Sequence, residues 1–288
     1  MNPQLDIFGN SNPSKESRPT ELGHSTITYK DSSQILTKTS GFMADYDFSI
    51  NQYSGCSFGC TYCYAAFFSR NKEKMDNWGK WVDVKENALH LLRKKRKRPL
   101  IDKTIYMSSV TDPYQPIDKK LELTREILKE LIDYHQVRLV IQTRASLVTR
   151  DIDLFKKFQT IQVNMTITTD DEEIRKVFEP YCPSNKVRMK AIEEVQNNGI
   201  QSCITMTPLL PVKNPEEFAS DLKATGVKRY IIQPFHKERG KFVAGTRDEA
   251  QRILKNYNWG TDEYERVLNI MRKSLPQLGE GKDGFAPI

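Results

Sequence analysis

Residues 56–64 read CSFGCTYCY, three thiols within eight residues, with Phe58, Tyr62 and Tyr64 beside them. Thiolates bind zinc or iron, exchange electrons or attack electrophiles, so their spacing has to discriminate. The chain has five cysteines, an odd number that does not make a disulfide framework. In a reducing compartment, clustered thiols serve metals or redox chemistry. A C-x-x-x-C-x-x-C loop can set Cys56, Cys60 and Cys63 around one corner of an iron–sulfur cubane, with Gly55 and Gly59 letting the backbone turn tightly between them. Three protein ligands leave one iron open to a substrate or cofactor, much as an open coordination position marks a catalytic zinc. The competing readings are a structural zinc completed by Cys182 or Cys203, and three unligated thiols. Zinc sites pair C-x-x-C units, a spacing the two remote cysteines do not show.

The elements that must position this loop follow from the rest of the chain. From Tyr46 onward, short β-branched or apolar runs alternate with longer amphipathic ones, the pattern of βα units on a parallel sheet. Strands are expected at 47–53, 104–110, 137–143, 161–168, 201–209 and 229–235. Helices are expected at 61–74, 83–97, 118–134, 149–158, 184–198 and 214–224, with a terminal pair at 247–256 and 261–275. The fold class is α/β, a partial TIM-like barrel of six βα units, whose chemistry collects at the C-terminal ends of the strands. CSFGCTYCY, TDPYQP and TRAS follow the first, second and third strands, so all three fall on that rim. Residues 1–25 lack an apolar period and read as a mobile tail. The expected division is a flexible extension over 1–45, the barrel core over 46–240 and a helical extension over 241–288.

Composition bounds the setting. No apolar run approaches the roughly 18 residues of a membrane span, and the N-terminus lacks the charged start and apolar centre of a secretory signal. A cytoplasmic protein with no membrane partner is expected. The net charge of +7 and pI near 9.0 suit a polyanionic partner, although charge alone reports solubility and steering.

NQYSGCSFGCTYCY resembles the cluster-binding loop of the radical S-adenosylmethionine (SAM) superfamily. VTDPYQPIDKKLELTREIL, IQTRASLVTRDIDLF and ITTDDEEIRKVFEPYCPSNKVRMKAIEEVQNNGI resemble, in order, the segments after strands two, three and four of its spore photoproduct lyase branch. The resemblance runs from about Ser49 to His236. It implies a [4Fe-4S] cluster on Cys56, Cys60 and Cys63, with SAM chelating the fourth iron. It also implies reductive cleavage of SAM to methionine and a 5′-deoxyadenosyl radical that abstracts hydrogen, and a flavodoxin- or ferredoxin-type electron donor. By the same resemblance Tyr62 lies by the adenine, and Arg144, where relatives carry Lys, meets the methionine carboxylate. Thr111 and Thr166 or Thr168 match hydroxyl positions that contact SAM; the bland reading of strand hydroxyls is that they only favour β structure. Asp112 is either a turn cap or a group on the catalytic rim, in which case Tyr114 and Gln115 line the cavity.

The substrate is read less directly. Spore photoproduct lyases carry a hydrogen-donating cysteine where this chain has Ser109, and an O–H is a far poorer hydrogen-atom donor than a thiol. RKKRKR (93–98), including Arg93, Lys94 and Lys95, is either a phosphate-binding run or a solvated helix end. HKERGKF (236–242), with Lys237, Arg239 and Lys241, reads as a basic hairpin on the rim or as a plain surface loop. A nucleic-acid substrate, in repair or modification, competes with a peptide or small metabolite. A zinc-stabilised nucleic-acid-binding module is the alternative outside the enzymes.

Overall fold

A computed structural model describes residues 18–69, 71–236, 245–275, 277–281 and 285–288. Its centre is a parallel sheet of six strands: β1 (Phe48–Ile50), β2 (Ile101–Met107), β3 (Gln136–Thr143), β4 (Thr160–Thr166), β5 (Gln201–Met206) and β6 (Arg229–Ile232). They pair in sequence order, and helices such as Leu123–Tyr134, Asn185–Asn197 and Pro215–Ala224 return the chain from one strand to the next. Crossovers of this kind curl a sheet towards a barrel. Here it stays partial: Leu36–Lys38 pairs antiparallel with β1 at one edge, and Leu278–Glu280 pairs parallel with β6 at the other.

The pleat explains both faces. Ile105, Met107, Leu139, Ile141, Val163, Met165, Ile204 and Met206 are buried on the outer face, in one cluster with helix residues such as Ile127, Leu128 and Leu131. The alternate positions turn inward and are largely polar: Tyr106, Gln162, Asn164, Thr166 and Thr205 are buried and Gln142 is partly so. A barrel interior dressed with amides and hydroxyls is built to hold something polar. Helix starts are locally determined. Asp171 accepts hydrogen bonds from the Glu173 and Ile174 amides, Ser184 accepts one from Val187, and Pro215 opens the helix after Asn214.

Three expected elements are corrected. The run 47–53 is two strands in two sheets: after β1 the chain breaks at Asn51 and Gln52, and Tyr53–Gly55 joins a second, four-stranded sheet beside Trp81–Lys85. The helix expected over 83–97 begins with that strand, whose alternating burial is the period of a β element, and only Ala88–Arg93 is α-helical. The stretch 61–74 holds a 3-10 turn at Tyr64–Phe68 and part of a short helix, Lys72–Asp76. The extension over 1–45 is ordered where it is described, since Ser25–Lys30 pairs parallel with Trp81–Lys85 and Ile27 is buried. The C-terminal segment is likewise more than helical, because it supplies the Leu278–Glu280 edge strand.

Candidate active site

Tyr53–Gly55 leads directly into the three-thiol loop. Gly55 and Gly59 have φ of +77° and +60°, a region L side chains rarely adopt. A Cβ on Gly55 would also meet the Trp81 carbonyl oxygen at 2.5 Å, so the loop can leave its strand only through glycine. Gln115, fully buried, accepts hydrogen bonds from the Ser57 amide (3.1 Å) and hydroxyl (3.3 Å), and the Thr111 hydroxyl donates to the Gly55 carbonyl (2.6 Å). The segment after β2 therefore braces the loop from below.

A cavity of about 710 Å3 opens beside it, within the ~300–1,000 Å3 range of small-molecule sites. Cys56, Tyr62, Cys63, Ser109, Thr111, Asp112, Arg144 and Thr166 all line it, bringing together most of the residues singled out in the sequence. Thr166 accepts from the Gln142 amide (2.7 Å), which also donates to Thr205 (2.9 Å) while Gln142 Oε1 accepts from the Tyr106 hydroxyl (2.8 Å). Asp112 is a brace: its carboxylate accepts from the Tyr114 amide (2.9 Å), the Thr143 hydroxyl (2.8 Å) and the Arg144 amide (2.9 Å). Burial raises its carboxyl above the ordinary value, and those three donors oppose the rise. It fixes the backbone from which Arg144 projects.

Arg144 Nη1 donates to Cys60 Sγ at 2.7 Å, and its guanidinium lies 5.7 Å from the Tyr62 ring centre. Cys60 Sγ is also 3.6 Å from Cys182 Sγ. Behind these groups sits a buried ion pair that sequence reading passed over. Glu179 and Arg188 have no solvent exposure; Arg188 donates to the Glu179 carboxylate, to the Pro183 carbonyl (2.8 Å) and to the Thr166 carbonyl (3.1 Å). Glu179 further accepts from the Tyr62 and Thr168 hydroxyls. Burial would raise the Glu179 carboxyl, but Arg188 and Arg144 overcome it and hold it at about 2. Both residues lie in the quoted post-β4 segment, yet a pair nine positions apart across a turn leaves no periodic signal.

Several placements differ from expectation. Tyr114 is buried outside the cavity wall, 5.6 Å from the Arg150 guanidinium, and Gln115 points to the loop instead of the cavity. Thr168 spends its hydroxyl on Glu179 and lies outside the cavity wall. Ser109 does line the cavity and accepts from Asn51 Nδ2 (3.2 Å). Cys182 is no remote loop thiol but abuts Cys60, while Cys203 is buried on β5. Arg93, Lys94 and Lys95 precede β2 and so stand at the opposite end of the barrel from the rim; Arg93 and Arg96 both face Glu130. Lys237, Arg239 and Lys241 lie outside the described residues.

A [4Fe-4S] cluster fits the loop by its donor set, three thiols in eight residues with two of them on one cavity wall. Among the described residues no group of three His, Cys, Asp or Glu converges as a preformed metal site, because Cys60 is turned to Arg144 and Cys182.

Residues 50–224 match the Radical SAM superfamily, and the chain belongs to it: it is an enzyme of the radical SAM type. It is 43% identical over 228 residues to the uncharacterized protein MJ0683 of Methanocaldococcus jannaschii, covering 78% of this chain and 85% of that one. The uncharacterized protein ORF301 of Acidianus two-tailed virus is 26% identical over 214 residues, 72% of this chain and 67% of its own. Among solved structures, spore photoproduct lyase complexed with dinucleoside spore photoproduct superposes with a TM-score of 0.60 at 16% identity, covering 92% of this chain and 86% of that one. A double mutant of that lyase with bound AdoMet and dinucleoside spore photoproduct gives 0.58 at 14% identity, with the same coverage. These neighbours share the partial-barrel fold. Among the described residues no helix is long and apolar enough to cross a membrane.

Proposed function

We propose that Cys56, Cys60 and Cys63 hold a [4Fe-4S] cluster, that SAM binds in the adjoining cavity, and that hydrogen is abstracted there from a nucleic-acid component. The observation that carries this reading is the single cavity joining Cys56 and Cys63 to Arg144 and the inner-face hydroxyls. Loaded, the cluster supplies the electron that splits SAM into methionine and a 5′-deoxyadenosyl radical. Every other task falls to the protein. Arg144, fixed through Asp112, offers a planar fork to the methionine carboxylate. Tyr62, fixed through Glu179, gives the adenine an aromatic neighbour. Thr111 and Thr166 stand on the same wall, but their hydroxyls are engaged with the Gly55 carbonyl and with Gln142, so they shape the SAM site more than they donate to it. A flavodoxin- or ferredoxin-type protein serves as reductant.

Support for nucleic acid comes from the dinucleoside bound by the structurally similar lyase, from the net charge of +7, and from Tyr64 and Phe68. These two line the cavity, pack edge-to-face on each other and are 46% and 62% exposed, leaving ring surface that bases can stack on. Ser109 in place of a thiol argues against hydrogen return by the lyase's route. The test is 5′-deoxyadenosine formation by anaerobically reconstituted protein with dithionite, with and without duplex DNA, single-stranded DNA, RNA and a peptide mixture. Nucleic acid is expected to accelerate it; acceleration by peptides alone would overturn the substrate class.

A further inference from the structure

Among the described residues the cavity wall carries few charged side chains, and all but one are accounted for. Asp112 is satisfied by its three donors, Arg144 donates to Cys60, and Lys38 is open to solvent. Lys85 is different. It is half-buried in the wall, and its ammonium makes no hydrogen bond and no ion pair with any described residue. Its backbone is fixed, since it ends the strand Trp81–Lys85 and donates its amide to the Gln52 carbonyl (3.0 Å). The adjacent strand, Tyr53–Gly55, is the one that delivers Cys56.

A cation half withdrawn from water without a counter-charge is disfavoured, and at a binding wall a ligand of opposite charge can offset that cost. From this juxtaposition we infer that Lys85 receives the phosphodiester of the nucleic-acid substrate, between bases that stack on Tyr64 and Phe68. The inference rests on the nucleic-acid reading above and names the group of the substrate that is recognised. Burial pushes the Lys85 ammonium below its ordinary value, with no neighbouring charge to offset it. A phosphate beside it would reverse that shift. The phosphodiester is favoured over a lone carboxylate because the exposed rings of Tyr64 and Phe68 line the same cavity as the cation, and a dinucleotide supplies the π faces and the charge in one ligand. Lys85 is thus a specificity-determining residue, whereas Arg144 is engaged at the cluster loop.

The test uses the anaerobically reconstituted holoenzyme with SAM and two probes, a thymidine dinucleotide with its natural phosphodiester and the same dinucleotide with a neutral methylphosphonate link. Wild-type protein should bind the charged probe about ten- to a hundredfold more tightly, the scale of one charge-assisted contact. Lys85→Gln should bring the two affinities close to equality, and Lys85→Arg should preserve most of the preference. Equal binding by the wild type, or a preference that survives in Lys85→Gln, would overturn the assignment. So would Lys85-dependent binding of a short peptide carboxylate with no binding of either dinucleotide. If nucleic acid accelerates SAM cleavage and the preference is indifferent to residue 85, only the role of Lys85 fails. If no nucleic acid accelerates it, the broader reading fails with it.

Discussion

The chain carries cations in two places, a run before β2 at the far end of the sheet and two single ones at the rim, and they differ in number, burial and partners. At the start of β2 stand six in an unbroken run, with Lys94, Lys95, Lys97 and Arg98 exposed and Arg96 clamped to Glu130 at 2.6 Å and laid over the Tyr134 ring at 3.4 Å. On the rim, Arg144, just past β3, and Lys85, at the end of the Trp81–Lys85 strand of the second sheet, sit singly in the wall of one cavity. The seven residues of β2 put roughly 20 Å between the two ends. Number made the first conspicuous in the sequence; burial makes the second consequential. A charge in a low-dielectric wall acts strongly on a ligand a few ångströms away, whereas an exposed run is screened within about 10 Å at ordinary salt.

The comparison can be broken in several ways. The largest effect is expected at the loop. Cys56→Ala, Cys60→Ala and Cys63→Ala should each lose most of the reconstituted iron, read by iron assay and visible absorbance. Cys182→Ala should keep it, and loss of iron there would make Cys182 a ligand. Next comes the pair behind the loop. Arg188→Met leaves the Glu179 carboxylate buried without its partner and should cost about 3–5 kcal/mol in urea unfolding. The same pair sets an acid limit. The folded Glu179 carboxyl, at about 2, lies below its ordinary 4.5, so its contribution is fully present above about pH 4.5 and lost as pH falls towards 2. Wild-type stability should therefore drop more steeply than that of Glu179→Gln across that window.

Smaller again is Arg144→Ala, which should weaken SAM binding by about one to two orders of magnitude, the loss of roughly 1.5–3 kcal/mol, while iron content stays. Rescue by Arg144→Lys would show that charge matters more than the fork. The smallest effect is expected at the far end. Neutralising Lys94 and Lys95 should change stability by no more than about 0.5 kcal/mol and leave nucleic-acid stimulation of SAM cleavage unchanged. Stimulation lost on that change would make the exposed run, and not the rim, the place where substrate is held.

How much of this was legible depended on whether the signal was local. CSFGCTYCY, TDPYQP and TRAS announce themselves by type and spacing, and the βα alternation puts them on one rim before any coordinates are seen. What the sequence hid was decided by packing between distant segments. The break at Asn51 and Gln52 is invisible in an unbroken strand pattern, because only the buried Gln52 amide, donating to the Thr124 hydroxyl at 2.7 Å, shows why the chain leaves one sheet for another. Asp112 reads as a turn residue and is one, but its second oxygen holds the Arg144 amide, 32 positions away. Tyr114 falls beneath the rim, since one step along a turn is enough to swing a side chain from the cavity to the core. Lys85 stood within an expected helix, and only its pairing in a strand shows that it faces the site.

The central claim, that the three-thiol loop and the cavity beside it form one radical SAM centre, is tested most directly by measuring 5′-deoxyadenosine and methionine in anaerobically reconstituted wild-type protein and in Cys60→Ala, each with SAM and dithionite. The account predicts reductant-dependent formation of both products in equal amounts by the wild type and none above background by the variant. Cleavage of SAM by Cys60→Ala at the wild-type rate, or its absence from wild-type protein with a full complement of iron, would contradict it.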